Sequence, residues 1–320
     1  MQAVLSHARI VAVLIAVLPI SACSGPSEDA QSEAAAEKVF MIGVSRCALD
    51  EARGEQLVAD IEAAAKKYPH LSIVFKNAGE DPRKQVAQVE ELIGQPVDLL
   101  IVNPADAQLL TARVARALDA GIPVIVLHRP VIGDKYSCFI GSDDEKLGAA
   151  AGRWLAKKLG GSGKIVELKG SVDDPATADR HKAFREAINH PGFRVIAEVP
   201  VDWEQSKAHE EMKGLLARYD DVDAVFAHND DMARGAYLAA REVGRQDEII
   251  FVGIGALPRK GLQYVRAGEL SVSFQVPTGG REAIDLAAKL LAGESVPKHY
   301  KPVCRVFTPD SVDKGGKPLD

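Results

Sequence analysis

The sequence is poor in cysteine, in aromatic residues and in clustered positive charge. Its 320 residues include four cysteines and 5% aromatics, and 39 Lys and Arg against 45 Asp and Glu give a formal net charge of −6. A net-acidic chain with no basic block is unlike a dedicated nucleic-acid binder. The sequence also lacks a Cys-x-x-Cys pair and any His/Cys cluster, which argues against zinc and redox sites. We therefore expect no nucleic-acid partner, no metal and no cofactor.

Signatures of enzymatic chemistry are equally scarce. No Gly-x-Ser-x-Gly element occurs, so the nucleophile elbow of a hydrolase is missing. The segment Gly160–Lys164 precedes a predicted strand and lacks the spacing of a phosphate-binding loop, so we interpret it as a turn. No metal-ligand spacing connects His181, His190, His209 and His228. The sequence predicts a protein that is not an enzyme.

Residues 1–22 have the composition of a signal peptide. Arg9 is their only Lys or Arg, and the apolar run Ile10–Leu18 that follows is too short to span a bilayer as a helix. The sequence Ile20-Ser21-Ala22-Cys23 resembles a bacterial lipobox, in which the cysteine is lipidated and becomes the new N-terminus. A plain secretory signal that happens to contain a cysteine is the alternative.

Residues 23–37 are predicted to be the lipidated Cys23 followed by a flexible polar tether, because this stretch offers too little apolar surface to pack a core. We therefore expect an exported protein of the periplasm or cell surface. It would be held at the membrane by the lipid anchor only.

From Lys38 onward, short apolar runs alternate with amphipathic helical stretches such as Gly54–Lys67, Arg83–Ile93 and Ala105–Ala120. Strands that are apolar on both faces and alternate with helices indicate parallel sheets covered on both sides. Ten strands fit two sheets of about five better than one large sheet. The predicted strands are Val39–Ser45, Leu71–Lys76, Asp98–Asn103, Pro123–Leu127, Ser137–Gly141, Lys164–Leu168, Arg194–Glu198, Ala224–Ala227, Ile249–Ile254 and Leu270–Gln275.

The residues that directly follow these strands are rich in Asn, Asp, Arg, His and Gln, for example His128-Arg129 and His228-Asn229. Ligands of such folds bind beyond the carboxyl ends of the strands, so these groups are candidates for a site that binds a small polar solute. The alternative is that they are polar because loops face water.

A set of sequence blocks in a fixed order supports the first interpretation, a site that binds a small polar solute. The blocks are Val97–Pro104, Ala120–Ile125, Ile165–Gly170, Asp223–Asp230 and Phe251–Gly253. Together, from about residue 39 to about residue 307, they resemble the ribose/galactose-type periplasmic solute-binding proteins of bacterial ABC importers, with the type I periplasmic binding fold. Cytoplasmic sugar-responsive repressors share this fold, but they carry an N-terminal DNA-binding helix pair where this chain has an export signal.

The resemblance implies an α/β protein with two Rossmann-like, doubly wound parallel-sheet lobes joined by three hinge crossings. Lobe one would comprise residues 38–142 plus 276–303, and lobe two residues 143–275 plus 304–320. Three hinges allow a clamshell closure around a ligand. The implied function is capture of a small sugar or sugar derivative by a monomer and its delivery to an ABC permease.

The resemblance also implies ligand contacts, carried over by position. Arg129 and Arg180 match arginines that hold hydroxyls or a carboxylate. Trp203 matches an aromatic residue that stacks on the sugar face. Asn229 and Gln275 match amide contacts.

Two positions depart from the pattern of sugar-binding members. His128 and Gly255 stand where those members usually have Asp. The first loop also lacks the aromatic residues of the family, although some relatives carry a Trp-Arg pair near Ala52-Arg53, which makes Arg53 a further candidate and Arg46 a weaker one. Arginines without the two acids predict a positive cleft and an acidic or acceptor-rich ligand. The alternative is a neutral sugar or polyol bound through other residues, with the acids restored from Asp50, Asp143 or Asp144.

Three cysteines remain after Cys23. Cys47 ends the first strand and Cys138 lies in the strand before the first crossing, both in lobe one. In an oxidising compartment we predict that these two form a disulfide.

Two other functions compete with import. A binding lipoprotein of this type can present its ligand to a membrane receptor kinase or chemoreceptor as a sensor subunit. Alternatively, the protein no longer binds sugar and serves an extracellular assembly.

Overall fold

Short apolar strands and amphipathic helices alternate along the chain and assemble into two sheets in a computed structural model that describes residues 38–47, 51–79 and 81–319. The predicted signal peptide (1–22) and tether (23–37), with Cys23, lie outside these residues. Within the described part of the chain, no helix is long and apolar enough to cross a membrane.

The described residues contain thirteen strands and nine α-helices. The strands are β1 (Phe40–Arg46), β2 (Leu71–Asn77), β3 (Leu99–Asn103), β4 (Val124–Leu127), β5 (Cys138–Ile140), β6 (Gly163–Lys169), β7 (Phe193–Pro200), β8 (Ala224–Ala227), β9 (Ile250–Gly255), β10 (Val272–Gln275), β11 (His299–Tyr300), β12 (Arg305–Phe307) and β13 (Lys317–Pro318). The helices are α1 (Glu51–Ala65), α2 (Pro82–Ile93), α3 (Ala107–Asp119), α4 (Asp144–Lys158), α5 (Pro175–Ala187), α6 (Gln205–Arg218), α7 (Asp230–Glu242), α8 (Gly261–Arg266) and α9 (Gly280–Leu291).

The two sheets have six and seven strands. The first has the order β11-β5-β4-β3-β1-β2 and the second β13-β12-β10-β9-β8-β6-β7. The chain therefore passes from the first sheet to the second between β5 and β6, returns between β10 and β11, and passes again between β11 and β12. The predicted fold class, two parallel-sheet lobes joined by three crossings, is confirmed.

Lobe boundaries at residues 142/143, 275/276 and 303/304 stay a prediction. The strands of the six-stranded sheet end at Ile140 and include only His299–Tyr300 beyond that point, whereas β6 to β10, β12 and β13 belong to the seven-stranded sheet.

Each sheet is covered by apolar side chains on both faces. In the first sheet, Ile101 and Ile125 belong to one buried cluster with Ile42, while Leu100 and Val102 belong to another. Successive residues of a strand point to opposite faces, so these two clusters lie on the two sides of the same sheet. This arrangement explains why the strands are continuous apolar runs without alternation.

The ten predicted strands all occur, with ends shifted by a few residues, but three were missed. These are β11, β12 and β13, of two or three residues each. Such short segments show no periodicity, and β12 also pairs antiparallel with β10 and β13, at the edge of the parallel sheet. The sheets are consequently larger than the predicted five strands each.

The predicted disulfide between Cys47 and Cys138 is wrong in this structure. Cys47 follows β1 and Cys138 begins β5, and β3 and β4 lie between those two strands. Three strand spacings separate the strands by about 14 Å, whereas a disulfide needs Cα atoms within about 7 Å. The Cys47 thiol instead donates to the Gly79 carbonyl at 2.9 Å. Cys138 is buried in the core, where burial raises the pKa of its thiol to about 11.

Three helices of the second lobe begin with a side-chain cap. Helix α4 begins where the chain enters the lobe, and α5 and α7 begin after strands β6 and β8. Asp143 accepts from the backbone N–H of Lys146 at the start of α4, and Asp174 accepts from that of Ala176 at the start of α5. Asn229 caps α7 in the same way. These caps satisfy backbone donors that a helix start leaves unpaired. They also direct the first turns of the three helices toward one place.

Helices α4 and α5 pack closely because Gly148 has no side chain. A Cβ atom at position 148 would lie 2.3 Å from the carbonyl oxygen of Arg180 in α5. That atom belongs to the backbone and has no rotamer by which to move aside. The glycine therefore sets the distance between the two helices and, with it, the placement of Arg180.

We predict that Gly148→Ala destabilises the protein by roughly 2–3 kcal/mol, because the added methyl group forces α4 and α5 apart. Urea denaturation of the folded chain measures this free energy of unfolding. Gly214→Ala in α6 is the matched control, since no described atom lies within 4 Å of its added Cβ. The control is expected to gain up to about 1 kcal/mol from helix propensity. Equal effects of the two substitutions would contradict the packing argument.

Candidate functional site

A cavity of about 500 Å³ lies between the carboxyl ends of the strands of the two sheets. Its size is within the range of pockets for small molecules. The first sheet and α1 contribute one wall and the second sheet with α4, α5 and α7 the other. The polar lining includes Arg53, Asn103, His128, Arg129, Ser142, Asp144, Asp174, Asp179, Arg180, Trp203, Asn229, Asp230, Asp231 and Lys260.

The structure brings together seven of the eight predicted contact residues. These are Arg53, His128, Arg129, Arg180, Trp203, Asn229 and Gly255. Gln275 is the exception, because among the described residues of β10 and the following turn it is Val276 that lines the cavity. Neighbouring side chains of an extended segment point to opposite sides. Because Val276 lines the cavity, the adjacent Gln275 side chain points away from it. The Val276 carbonyl accepts a hydrogen bond from Nη1 of Arg53 at 3.2 Å.

Arg180 is paired with a carboxylate inside the cavity wall. Its Nε and Nη2 atoms lie 2.8 Å and 2.6 Å from Oδ1 of Asp144, and the side chains are 8% and 12% exposed. Its Nη1 atom donates to the carbonyl of His228, and the Ser142 hydroxyl donates to the other carboxylate oxygen of Asp144. The guanidinium charge is thus balanced by a neighbour before any ligand enters.

Trp203 is held in the cavity by a strained turn. Asp202 and Trp203 have φ angles of 52° and 67°, in the left-handed region that side chains disfavour. The indole lies against Gly170, where a Cβ would be 2.2 Å from its Cζ2 atom, and the guanidinium of Arg180 sits 5.4 Å from the ring centre. Asn229 secures the turn by donating from Nδ2 to the Trp203 carbonyl at 3.0 Å.

The unusual glycine at position 255 has a steric explanation. A Cβ there would lie 2.7 Å from Oδ2 of Asp230, which accepts from the Ala256 N–H at 2.6 Å. The other carboxylate oxygen of Asp230 accepts from the Ser273 hydroxyl at 2.6 Å. The carboxyl of Asp230, at the start of α7, therefore occupies the place next to Gly255 that an aspartate side chain would need. Burial raises the pKa of Asp230 to about 6.

His128 is neutral over the physiological pH range. Burial, followed by the positive charge of Arg53, lowers the pKa of His128 to about 4. The residue has a φ of 61°, and its Nε2 atom is buried without a hydrogen-bond partner among the described residues. A buried polar atom in a cavity wall is a site at which a ligand group can bind.

The expected excess of positive charge is not found. Asp144, Asp230 and Asp231 join the basic residues in the lining, and Nζ of Lys260 lies 2.7 Å from Oδ2 of Asp231. Of these residues, Asp144 is predicted from the sequence only as a possible substitute for the missing acids, and Asp230, Lys260 and the aromatic Phe139 are not predicted as contacts. The sequence does contain a signal for Asp144 and Asp230. Each directly follows a helix-capping residue, Asp143 or Asn229, and a residue in the first turn of such a helix lies near the end of the preceding strand.

Comparisons with known proteins agree with this geometry. A family model described as periplasmic binding protein domain matches residues 42–295. The ribose import binding protein of Bacillus subtilis is 31% identical over 292 residues, covering 90% of this chain and 94% of that protein.

Two solved structures are similar over nearly the whole described chain. The fructose-binding periplasmic domain of a hybrid two-component system has 36% identity and a TM-score of 0.75, covering 86% of this chain and 93% of that one. An ABC transporter solute-binding protein from Bacillus halodurans with bound myo-inositol has 31% identity and a TM-score of 0.76, covering 87% and 97%.

We predict that Gly170→Ala displaces the Trp203 ring, because the new methyl group would occupy the position of the indole. The chain has two tryptophans, so a Trp154→Phe background leaves Trp203 as the only fluorescent indole. In this background, the emission of the sugar-free Gly170→Ala protein should shift toward that of an exposed indole. Gly94→Ala is the control, since its Cβ would meet nothing closer than 3.5 Å. Unchanged emission in folded Gly170→Ala would show that the ring does not rest on Gly170.

We also predict that Asp230→Asn becomes more stable than the wild type as pH rises. A carboxyl whose pKa is raised on folding contributes stability below its unfolded value near 4, and loses it as pH rises through about 6. The asparagine mimics the protonated form, so its advantage at pH 8 relative to pH 4 should be roughly 3 kcal/mol. Urea denaturation at both pH values measures it, and the variant-minus-wild-type difference removes the opposite contribution of His128. A pH-independent difference would contradict the assignment.

Proposed function

The chain belongs to the family of periplasmic binding protein domains, and we propose that it is an extracytoplasmic solute-binding protein that captures a small neutral sugar or polyol between its two lobes. The observation that carries the proposal is the cavity itself, which is lined by the Trp203 ring together with hydrogen-bonding groups that follow strands of both sheets. An indole face covers the C–H groups of a sugar while polar groups bind its hydroxyls.

The charges in the cavity support a neutral ligand over the acidic one, which the sequence analysis above gives as a hypothesis beside the neutral alternative. Arg180 is already paired with Asp144, and His128 carries no charge at neutral pH. The lining also contains the carboxyl groups of Asp174, Asp179 and Asp231, which offset the charges of the remaining basic residues. An anion would have to compete with Asp144, whereas a hydroxyl accepts from an arginine and donates to a carboxylate at the same time.

We propose further that the protein is a monomeric lipoprotein anchored through Cys23 and delivers its ligand to an ABC permease in the periplasm or at the cell surface. It acts by binding alone and is not an enzyme. The relatives named as ribose import binding proteins and as an ABC transporter solute-binding protein support this role.

Presentation of the ligand to a sensor is the second candidate function. It is favoured by the 36% identity to a periplasmic domain of a hybrid two-component system. Deletion of the gene and complementation with the full chain separates the two. Loss of labelled sugar uptake would support import, whereas normal uptake with a lost transcriptional response to the sugar would support sensing.

We predict that ribose, fructose, myo-inositol or xylitol raises the melting temperature by several degrees, and that the corresponding sugar acids and phosphates do not. A ligand at about 100 times its dissociation constant adds roughly 2.7 kcal/mol to the stability of the folded state. A shift with acids only would restore the anionic hypothesis. The absence of any shift across the panel would favour the assembly role.

For a sugar that gives a shift, Arg129→Met should raise the dissociation constant at least about tenfold, because charged hydrogen bonds to the ligand are lost. Titration calorimetry measures it, and Arg153→Met, at an exposed position of α4, is the matched control. Gln275→Ala should bind like the wild type, since that side chain is not part of the lining. Normal binding by Arg129→Met would remove Arg129 from the site.

A further inference from the structure

Behind the wall of the cavity lies a carboxylate that is completely buried. Glu167 is the fifth residue of β6 and is 0% exposed, with β7 on one side of its strand and β8 on the other. A buried carboxylate is costly unless hydrogen bonds compensate it. Glu167 takes these hydrogen bonds from two histidines rather than from Lys or Arg.

Both histidines form hydrogen bonds with the Glu167 carboxylate. Nε2 of His228 lies 3.0 Å from Oε1, and Nδ1 of His181 lies 2.9 Å and 3.1 Å from the two carboxylate oxygens. His228 is fully buried, whereas the His181 side chain is 33% exposed. The pair Glu167–His228 thus lies inside the lobe, and His181 closes it toward solvent.

The contacts of His228 assign its tautomer. Its Nε2 atom faces a carboxylate and must donate, while its Nδ1 atom is approached by the backbone N–H of Gly170 at 3.5 Å and must accept. A neutral ring protonated at Nε2 satisfies both contacts. Burial lowers the pKa of His228, although Glu167 acts in the opposite direction, so the neutral ring is maintained.

Two of these residues also belong to a group that could be considered a metal site, because Glu167, His181 and Glu198 offer ligand atoms within 4.8 Å of one another. The charges argue against it. Glu198 is already paired with Lys169 at 3.2 Å and with Arg185 at 3.4 Å. A cation would have to displace both, so the hydrogen-bonded arrangement explains the cluster better.

His228 contacts residues that line the cavity or support its lining. Its carbonyl accepts from Arg180, and Asn229 is the next residue in the chain. Its ring faces the backbone of Gly170, on which Trp203 rests, and lies 6.4 Å from the indole. A rotation of this ring would therefore disturb the Gly170 backbone and the indole that rests on it, whereas Arg180 and Asn229 are connected to the backbone of His228.

We propose that Glu167 is a positioning residue for ligand binding, which acts by fixing the His228 ring and thereby the Gly170 backbone and the Trp203 indole that rests on it. The inference rests on the proposed sugar-binding function for its effect on affinity. The tautomer and the placement of Trp203 can be measured without any sugar.

The test compares substitutions of Glu167 with a substitution of His181. Glu167→Leu leaves the Nε2–H of His228 without an acceptor and should weaken binding of ribose or myo-inositol at least about tenfold. Glu167→Gln should rescue affinity to within about threefold, because its carbonyl accepts from His228 and its amide donates to His181. His181→Ala is the matched control, since it removes a donor from Glu167 but leaves His228 in place, and its affinity should stay within about threefold.

Two readouts need no ligand. Nitrogen-15 NMR of the histidine rings should show His228 protonated only at Nε2 at pH 7 in the wild type, with its signals assigned from a His228→Asn variant. Trp203 fluorescence in the Trp154→Phe background should change in Glu167→Leu and remain unchanged in His181→Ala and Glu167→Gln. If Glu167→Leu does not fold, His228→Asn replaces it, because the shorter side chain cannot reach Glu167.

The outcomes separate the two proposals. If the wild type binds no member of the sugar panel, the proposed function fails, while the NMR and fluorescence results still decide the role of Glu167. A folded Glu167→Leu with wild-type affinity and Trp203 emission, a His228 ring protonated at Nδ1, or an equal loss of affinity in His181→Ala would each overturn the positioning role.

Discussion

The buried ion pair between Arg180 and Asp144 is the interaction on which the wall of the cavity formed by the second lobe depends. It joins the first turn of α4 to α5, and the same guanidinium donates to the carbonyl after β8, so one side chain connects three segments of the second lobe. Charges placed so far from water are tolerated only when their geometry and hydrogen bonds are good. Gly148 contributes by letting α5 approach closely enough for the pair to form.

Backbone strain is concentrated around the same cavity. The non-glycine residues with positive φ in the described chain are His128, Asp202, Trp203 and Ala256, and each lines the cavity or adjoins a residue that does. Such conformations cost about 1–3 kcal/mol each and persist where the surrounding structure enforces them. Their position at strand ends of both sheets is consistent with a binding surface that is set by the fold before a ligand arrives.

The fold could be predicted in detail because its signals are local and repeated. Continuous apolar strands between amphipathic helices predict two parallel sheets, and the resemblance to periplasmic solute-binding proteins assigns Arg129, Trp203 and Asn229 to one site. The sequence does not show which side chains contact each other across the fold or which strands are neighbours in a sheet. The presence of Asp144 beside Arg180 depends on the distance between two helices, and nothing in the chain order shows that Asp230 fills the space at Gly255. The wrong disulfide has the same origin, since strand order in a sheet differs from strand order in the sequence.

The late crossing of the chain has a consequence for folding. β11 at His299–Tyr300 pairs with β5 at Phe139 and Ile140, so the six-stranded sheet is completed only when nearly the whole chain is available. Until then the edge of β5 is open, and contacts between such distant segments form slowly. The six-stranded sheet therefore stays incomplete until the segment that returns from the second sheet has been synthesised.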